Sequence, residues 1–297
     1  MNDIKRKESI ITGLVGLIFI CALYLSSIPK EVKQEEEIII EEEPVIEEVI
    51  EEPVEEIIDP NTYDNYYVYC NNMDFKNLKE PGWFISYEDE NYKSILGLDI
   101  SEFNGRVNFY TLKDIGIDYV ILRVGWRGST EGGIYSDKYF EDYYTEAVDA
   151  GLNIGYYFFS QAVNEDEAKE EANFVLDHIK DKQCNMFVVF DQETSAGGGG
   201  RSDYLRADAY TSNAIAFLDV IKEAGYKPMI YTNLDWARNH YHVDSFEEND
   251  IPIWLAQYNG YPNCRFNYLM WQYNDRASIK GVANKGRTDL NLMLVKK

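Results

Sequence analysis

Residues 186–193 read MFVVFDQE, a short run of β-branched and aromatic residues that ends directly in two acids. A run of this length predicts a strand that is buried on both faces, as in a parallel sheet. The amphipathic stretch 204–224 follows and predicts a helix, with Ser202 or Asp203 as its N-cap and Gly225 after its end. The next apolar run, KPMIY, completes a strand–helix–strand unit. Such a unit predicts two parallel strands joined by a right-handed crossover.

The same alternation continues over residues 95–297. Strands are predicted at 95–100, 118–124, 153–159, 186–190, 227–231, 252–256, 268–273 and 288–293. Helices are predicted at 137–150, 165–181, 204–224 and 233–240. Eight strands in this order favour an α/β fold, an irregular (β/α) barrel similar to the TIM barrel, whose last three strands lack clear helices between them. The alternative is a doubly wound open sheet, which no glycine-rich dinucleotide fingerprint supports; the glycines at 197–200 are interpreted as a flexible loop.

The N-terminal part of the chain has a different composition. Residues 9–29 carry no charge and are long enough to span a bilayer as a helix. Lys5, Arg6 and Lys7 precede this stretch, so the positive-inside rule predicts a cytoplasmic tail, residues 1–8, and export of the remainder. The predicted location is the cell membrane, with a single span and the folded domain on the outside. A cleaved signal peptide is the alternative, but no A-x-A-like site follows the apolar run.

Two further segments precede the predicted domain. Residues 30–60 repeat acidic pairs with Ile and Val and contain three prolines. Because like charges repel and prolines interrupt helices, this low-complexity segment is predicted to be an extended spacer. Residues 61–93 are rich in Tyr and Asn, and they are either an extension packed on the domain or more spacer. The domain itself is predicted over residues 94–297 and is expected to be soluble and active when expressed alone.

Charge and cysteine content exclude several classes of protein. The chain has 28 basic and 52 acidic residues and a net charge of −24, which argues against nucleic-acid binding. Cys70, Cys184 and Cys264 are the cysteines outside the apolar N-terminal stretch, so the chain is not a disulfide scaffold. His240 and His242 have no evident third partner, and we predict no metal site.

Acidic residues occur at the predicted C-terminal ends of strands, where α/β barrels carry their functional side chains. They are Asp99, Asp191, Glu193 and Asp289. Because alternate residues of an extended strand point to one side, Asp191 and Glu193 are expected to project into one pocket. Crowding raises one pKa and leaves a proton donor beside an ionised partner, the arrangement that hydrolyses glycosidic bonds. Two ordinary acids in a loop are the alternative.

Aromatic residues occur near the same strand ends. They are Trp126, Tyr157, Tyr231, Trp254, Tyr258, Trp271 and Tyr273. Sugar rings have apolar faces that stack on aromatic side chains, and hydroxyl groups that need polar partners. Each aromatic residue alone is better explained as part of the core. The whole set beside the acids indicates a saccharide-binding groove.

Seven motifs occur in the order in which a known family carries them. They are LGLDISEFNG, YVILRVGWRG, IGYYFFS, VVFDQE, MIYTN, IWLAQYN and MWQYND…GRTDLNLM. Together they resemble glycoside hydrolase family 25, the lysozyme-like N-acetylmuramidases, over about residues 95–297. The resemblance implies a flattened barrel with five β/α units and three further strands. It does not cover residues 1–94.

The resemblance also implies roles for individual residues. The predicted catalytic residues are Glu193, Asp191, Asp99 and Asp289, and the predicted substrate-binding residues are Tyr157, Trp254, Tyr231, Trp126 and Gln272. Glu193 is implied as the acid/base, and Tyr157 and Trp254 match positions that contact the sugar. Phe158 departs from the pattern, because many members carry histidine after that tyrosine. This departure is expected to change a detail of the surface that faces the substrate.

We therefore expect a peptidoglycan hydrolase (a muramidase, or lysozyme) that cleaves the β-1,4 bond between N-acetylmuramic acid and N-acetylglucosamine without a cofactor. Its expected partners are glycan strands of the cell wall and, through the N-terminal helix, the membrane. No carboxylate is clearly placed as a nucleophile, so the substrate's 2-acetamido group can attack, with Asp191 orienting it. Two alternatives stay open: an inactive membrane-tethered wall-binding module, and a hydrolase of another N-acetylated glycan.

Overall fold

The computed structural model describes residues 62–284 and 288–297. Its strands are β1 (Thr62–Tyr63), β2 (Tyr67–Val68), β3 (Tyr92–Ile100), β4 (Tyr119–Arg127), β5 (Ile134–Ser136), β6 (Asn153–Ser160), β7 (Val188–Gln192), β8 (Pro228–Asn233), β9 (Ile253–Ala256), β10 (Met270–Ala277) and β11 (Thr288–Lys296). Its helices are α1 (Phe109–Asp114), α2 (Phe140–Asp149), α3 (Glu165–Ile179), α4 (Ala207–Glu223), α5 (Leu234–Asn239) and α6 (Val243–Glu248). None of these helices is long and apolar enough to cross a bilayer. The predicted tail, anchor and spacer, residues 1–60, lie outside the described residues.

Eight of the strands close a barrel. Their order is β3, β4, β6, β7, β8, β9, β10 and β11, and β11 pairs with β3 to complete the circle. Neighbours from β3 to β10 are parallel, whereas β11 is antiparallel to both β10 and β3. Each of the eight predicted strands corresponds to one of these. The closure confirms the predicted irregular barrel and excludes the doubly wound open sheet.

Five β/α units come first and three strands follow. The units are β3–α1, β4–α2, β6–α3, β7–α4 and β8 with α5 and α6, and the described residues that follow β9 and β10 contain no helix. This confirms the arrangement that the family resemblance implies. The short helices α1 and α6 and the strand β5 were not predicted. Three helices begin after an asparagine whose side chain accepts a backbone N–H of the first turn, namely Asn108, Asn164 and Asn233.

The predicted N-cap of the longest helix is wrong. Helix α4 begins at Ala207, after the predicted caps Ser202 and Asp203. The Asp203 carboxylate instead accepts the backbone N–H groups of Ser195 and Gly200 at 2.9 and 2.8 Å. Because these bonds fold the glycine-rich loop, the carboxylate is not available to the helix.

Alternation along β7 separates an outer layer from the barrel interior. Phe190 points outward and packs against Phe217 of α4, with ring centroids 5.1 Å apart. Val189 and Asp191, one residue to either side, point inward. The interior below Asp191 is filled by large apolar side chains, including Tyr119, Met186, Phe187, Met229, Met270 and Met293. The barrel is therefore a packed core that opens only where its acids lie.

Residues 62–91 pack on the barrel, which decides between the two interpretations of the 61–93 segment. They cover the outer faces of β10 and β11, where the barrel has no helix. Val68, Cys70, Met73 and Tyr87 are buried there in one cluster with residues of both strands. The backbone of the segment also contacts the barrel, because β2 pairs antiparallel with β11. This segment supplies the outer layer that helices supply elsewhere.

The hairpin of β1 and β2 lies at the end of the barrel opposite the acids. The Tyr67 hydroxyl donates to the Met186 sulfur at 3.4 Å, and its ring lies 5.4 Å from that of Phe187. Both partners precede β7, so they mark the N-terminal ends of the parallel strands. A salt bridge of 2.6 Å between Asp64 and Lys227, just before β8, lies at the same end. The hairpin forms the floor of the barrel.

Candidate active site

One groove of about 840 Å³ opens at the C-terminal ends of the parallel strands. All nine predicted site residues line it: Asp99, Trp126, Tyr157, Asp191, Glu193, Tyr231, Trp254, Gln272 and Asp289. They come from β3, β4, β6, β7, β8, β9, β10 and β11 and from the residue after β7. Closure of the barrel therefore brings together side chains that are spread over most of the domain's sequence.

Asp99 and Asp289 form a carboxyl pair in the wall of the groove. They are directly opposite each other in the antiparallel pairing of β3 and β11. The Asp99 Oδ1 atom accepts hydrogen bonds from the side-chain amides of Gln272 at 2.9 Å and Asn291 at 2.7 Å. Burial, and then the charge of Asp99, raise the pKa of Asp289 to about 9. Burial also raises the pKa of Asp99, but the two amide hydrogen bonds oppose this shift.

The orientation of the two amides assigns the proton within this pair. The Asn291 Oδ1 atom accepts the indole N–H of Trp254 at 2.8 Å. Gln272 Oε1 accepts the hydroxyls of Tyr231 at 3.0 Å and Tyr258 at 2.6 Å. Each amide oxygen is thus engaged, and each amide nitrogen donates to Asp99. Asp99 is therefore the ionised acceptor, and Asp289 carries the proton.

The second acidic pair comes from a single strand. Asp191 ends the inward row of β7 and is 9% exposed, and its Oδ1 atom accepts no hydrogen bond from the described residues. Burial, then the charges of Glu193 and Asp99, raise the pKa of Asp191 well above its usual range, and Arg123 opposes the shift. Glu193, two residues on, is half-buried. Burial and the charge of Asp99 raise the pKa of Glu193, whereas the neighbouring Tyr231 hydroxyl lowers it.

A sequence model described as Glycosyl hydrolases family 25 matches residues 98–282, more than half of the chain. The chain belongs to this family. The matched residues include the acidic pair of β7, Asp99 and most of the groove. Residues 62–91, which pack on the barrel, lie outside the match.

Relatives of the family 25 domain include a lysozyme and a spore cortex lytic enzyme. The autolytic lysozyme of Clostridium acetobutylicum is 28% identical over 196 residues, which are 66% of this chain and 54% of that protein. This chain thus spans about half the length of that relative. The spore cortex lytic enzyme SleM of Clostridium perfringens is 25% identical, with a TM-score of 0.56 over 67% of each chain. A family 25 glycosyl hydrolase from Bacillus anthracis, 20% identical, has a TM-score of 0.56 over 72% of this chain and 94% of its own, and it supports the fold alone.

Two of the predicted sugar-contacting residues have other partners in the family 25 site. Trp254 is only 2% exposed, and its indole N–H is bonded to Asn291. Gln272 is 3% exposed and joins two tyrosine hydroxyls to Asp99. These contacts make both residues supports of Asp99. Among the predicted substrate-binding residues, Trp126 and Tyr157 are the more open, and both are half-buried.

The family departure at Phe158 does not reach the groove. Phe158 is fully buried and points outward from β6, with its ring 5.9 Å from Phe174 and 6.4 Å from Phe217. The expectation of an altered substrate-facing surface is therefore wrong. Alternation along the strand is the physical reason, because Tyr157 takes the inward position and its neighbour must face the helices.

Arg123 is a groove residue that the sequence reasoning missed. Its guanidinium lies between the rings of Phe103 and Trp126, 4.9 and 4.8 Å from their centroids. It binds Asp137 at 2.8 Å and Glu102 at 3.1 Å. The signal was present, because a single charge within the apolar run YVILRVGW of a buried strand requires partners.

Asn291, which is buried behind the groove, is the second missed residue. Tyr258, named above only as one of the aromatics, lines the groove and donates to Gln272. Asn291 lies two residues after Asp289 on β11, so the alternation of TDLNLM places both on the inward face.

Elsewhere the described histidines have local partners: His242 pairs with Asp208 at 2.7 Å, and His240 packs on Trp236. The cysteines named above are free thiols.

Proposed function

We propose that this family 25 chain hydrolyses the β-1,4 bond between N-acetylmuramic acid and N-acetylglucosamine in peptidoglycan. The observation that carries the proposal is the Asp191 and Glu193 pair, which shares one strand face inside an acidic, aromatic-walled groove. Raised pKa values in such a pair are what proton transfer to a glycosidic oxygen requires. The wall-lytic names of the relatives support the same substrate class.

Glu193 acts as the general acid in this proposal. It is the more exposed member of the β7 pair, so it can reach a glycosidic oxygen bound in the groove. Its raised pKa keeps the proton available closer to neutral pH. The proton passes to the leaving oxygen as the bond from that oxygen to C1 breaks, and Glu193 becomes a carboxylate.

Asp191 orients the group that attacks. Its Oδ1 atom is buried without a hydrogen bond from the described residues, so it can accept the N–H of the substrate's 2-acetamido group. Held in this way, the acetamido carbonyl oxygen forms the new bond to C1 as the leaving oxygen departs. A water molecule then attacks C1 and breaks that bond. The Glu193 carboxylate takes the proton of the water, which restores the acid.

The Asp99 and Asp289 pair contributes charge and shape. The ionised Asp99, fixed by two amide donors, stabilises the positive charge that develops at C1. Asp289 holds its proton and keeps Asp99 in place without adding a second charge. Arg123 and Trp126 form the adjoining wall, where a sugar ring stacks.

The test is the chemistry of the ends released from purified peptidoglycan. New muramic acid reducing ends are the expected result. New glucosamine reducing ends would mean a different cleavage, and no new ends with retained binding would mean a wall-binding module. Chitin-like polymers serve as the comparison substrate, because preferential hydrolysis of these would assign another N-acetylated glycan.

We also propose that residues 9–29 anchor the enzyme in the cell membrane with its groove on the wall-facing side. The support is the uncharged stretch itself and the basic residues Lys5, Arg6 and Lys7 before it. Protease added to intact cells should release a fragment that contains the barrel. A barrel that stays protected until the cells are lysed would contradict this topology.

A further inference from the structure

The connection between β9 and β10, residues 257–269, borders the groove without helix or strand of its own. Connections of this length in compact domains are uncommon, and ordered ones need contacts from elsewhere. Tyr258 lies at the start of the connection and lines the groove. Contacts that order this connection therefore affect the position of Tyr258 in the groove.

Contacts with residues 62–91 hold the middle of the connection. The ring of Phe75 stacks on that of Tyr261, with centroids 4.6 Å apart and an interplanar angle of 5°. The Tyr261 hydroxyl donates to Glu80 at 2.9 Å. Gln257 donates through its side-chain amide to the Tyr261 carbonyl at 2.9 Å, so the stacked ring is tied back to the start of the connection.

The same segment holds the far end of the connection. The Asn71 side chain donates to the Phe266 carbonyl at 3.1 Å and accepts the Tyr268 N–H at 2.9 Å. The backbone N–H of Cys70 donates to the Tyr268 carbonyl at 2.8 Å. Two separate parts of the 62–91 segment thus bind two separate parts of the connection.

From the connection, an unbroken series of hydrogen bonds leads to an acid of the groove. The Tyr258 hydroxyl donates to Gln272 Oε1 at 2.6 Å, and the Gln272 amide donates to Asp99 at 2.9 Å. The connection also has a backbone bond to the same strand, from Gln257 N–H to the Gln272 carbonyl at 3.0 Å. A displaced Tyr258 would leave the amide of Gln272 with one hydroxyl fewer to fix its orientation.

We propose that residues 62–91 are part of the catalytic unit, with Phe75 as a positioning residue that orders the 257–269 connection and so sets Tyr258 on Gln272 beside Asp99. This inference rests on the proposed muramidase function for its kinetic consequence only. The segment lies outside the family match at 98–282, so this support belongs to this chain and not to the matched part of the family domain.

The experiment compares Phe75→Ala in the full chain with a matched control, Tyr66→Ala. Tyr66 belongs to the same segment and packs edge-on against Tyr67 at 5.0 Å, but it lies on the barrel floor. Hydrogen exchange should rise in the 257–269 peptides of Phe75→Ala and stay unchanged there in Tyr66→Ala. On peptidoglycan fragments, kcat should fall about tenfold in Phe75→Ala with KM within about twofold, because orientation is lost while most of the groove remains.

Two further variants keep the result interpretable. Phe75→Tyr retains the stacked ring and should restore both exchange and kcat. Tyr258→Phe removes the hydroxyl directly, so it should lower kcat without raising exchange in the connection. Unchanged exchange at 257–269 in Phe75→Ala, or raised exchange with an unchanged kcat, would overturn the inference. If the wild-type chain releases no reducing ends, the proposed function fails, while the exchange comparison still decides whether the segment orders the connection.

Discussion

Asp289→Asn should make the folded chain more stable at neutral pH while it removes one of the four predicted catalytic acids. The side chain is buried beside Asp99, and its pKa rises from 3.8 to about 9 on folding. A carboxyl group with a raised folded pKa must take up a proton when the chain folds at pH 7. The contribution of Asp289 to the free energy of unfolding is therefore fully present below pH 3.8 and is lost as the pH rises toward 9.

The size of the effect follows from the interval between the unfolded pKa and the working pH. Between pH 3.8 and pH 7, at about 1.36 kcal/mol per pH unit, the upper bound on the stability that Asp289 costs the wild-type chain is about 4 kcal/mol. Asp99 shares the proton of the pair, so we expect a gain of about 2 kcal/mol at pH 7. Asparagine has the shape of the neutral acid and can still donate to Asp99, so no new cavity or unpaired charge arises.

The assay is urea denaturation of wild type and Asp289→Asn at several values between pH 4 and pH 9. The free-energy difference should be near zero at pH 4 and should grow with pH. Asp219→Asn, an exposed aspartate on α4, is the control and should change stability by less than about 0.5 kcal/mol at every pH. Parallel stability curves for wild type and Asp289→Asn would refute the assignment of the proton to Asp289.

Four other outcomes test the proposed mechanism and architecture. Glu193→Gln should lower hydrolysis of peptidoglycan by about 10²–10⁴-fold, and an activated aryl glycoside should recover much of the first step, because its leaving group needs little protonation. Asp191→Asn should stay impaired on both substrates, and equal ratios of the two activities in the two variants would show that the roles are wrongly assigned. The fragment 94–297 should have a lower thermal denaturation midpoint than 62–297, because it exposes the outer faces of β10 and β11. This revises the expectation that residues 94–297 form an independent soluble domain. Equal midpoints for the two fragments would contradict the revised expectation. Replacing residues 34–60 by a neutral flexible linker of equal length should leave hydrolysis of soluble fragments unchanged, as measured by reducing-end release, because a spacer contributes reach and not contacts.

The barrel and its acids were predictable because both depend on local pattern. Short apolar runs such as 186–190 mark buried strands, and the C-terminal ends of parallel strands meet at one end of a barrel. Acids placed at those ends, such as Asp191 and Asp289, must therefore come together. The family resemblance supplied the five β/α units and three further strands, but neither it nor strand propensity predicted that β11 is antiparallel to both of its neighbours.

The residues that hold the groove side chains in place could not be predicted from the sequence, and the reason is physical. Hydrogen bonds such as that from Trp254 to Asn291 join residues far apart in sequence, and no spacing rule relates them. Helices α1, α5 and α6 have six residues each, so a period of 3.6 is weak in all three, and of these only α5 was predicted. The role of residues 62–91 was hidden as well, because the apolar side chains that they bury are spread among tyrosines and asparagines.

The hairpin of β1 and β2 joins residue 62 to the strand that closes the barrel. Thr62 pairs with Val68, and Val68 pairs with Leu294 on the strand that carries Asp289. Five steps of extended strand separate Leu294 from Asp289, about 17 Å along β11. Thr62 therefore lies at the floor of the barrel, and the groove opens at the other end. A force applied at Thr62 would act first on the pairing of β2 with β11, at a distance from the acids.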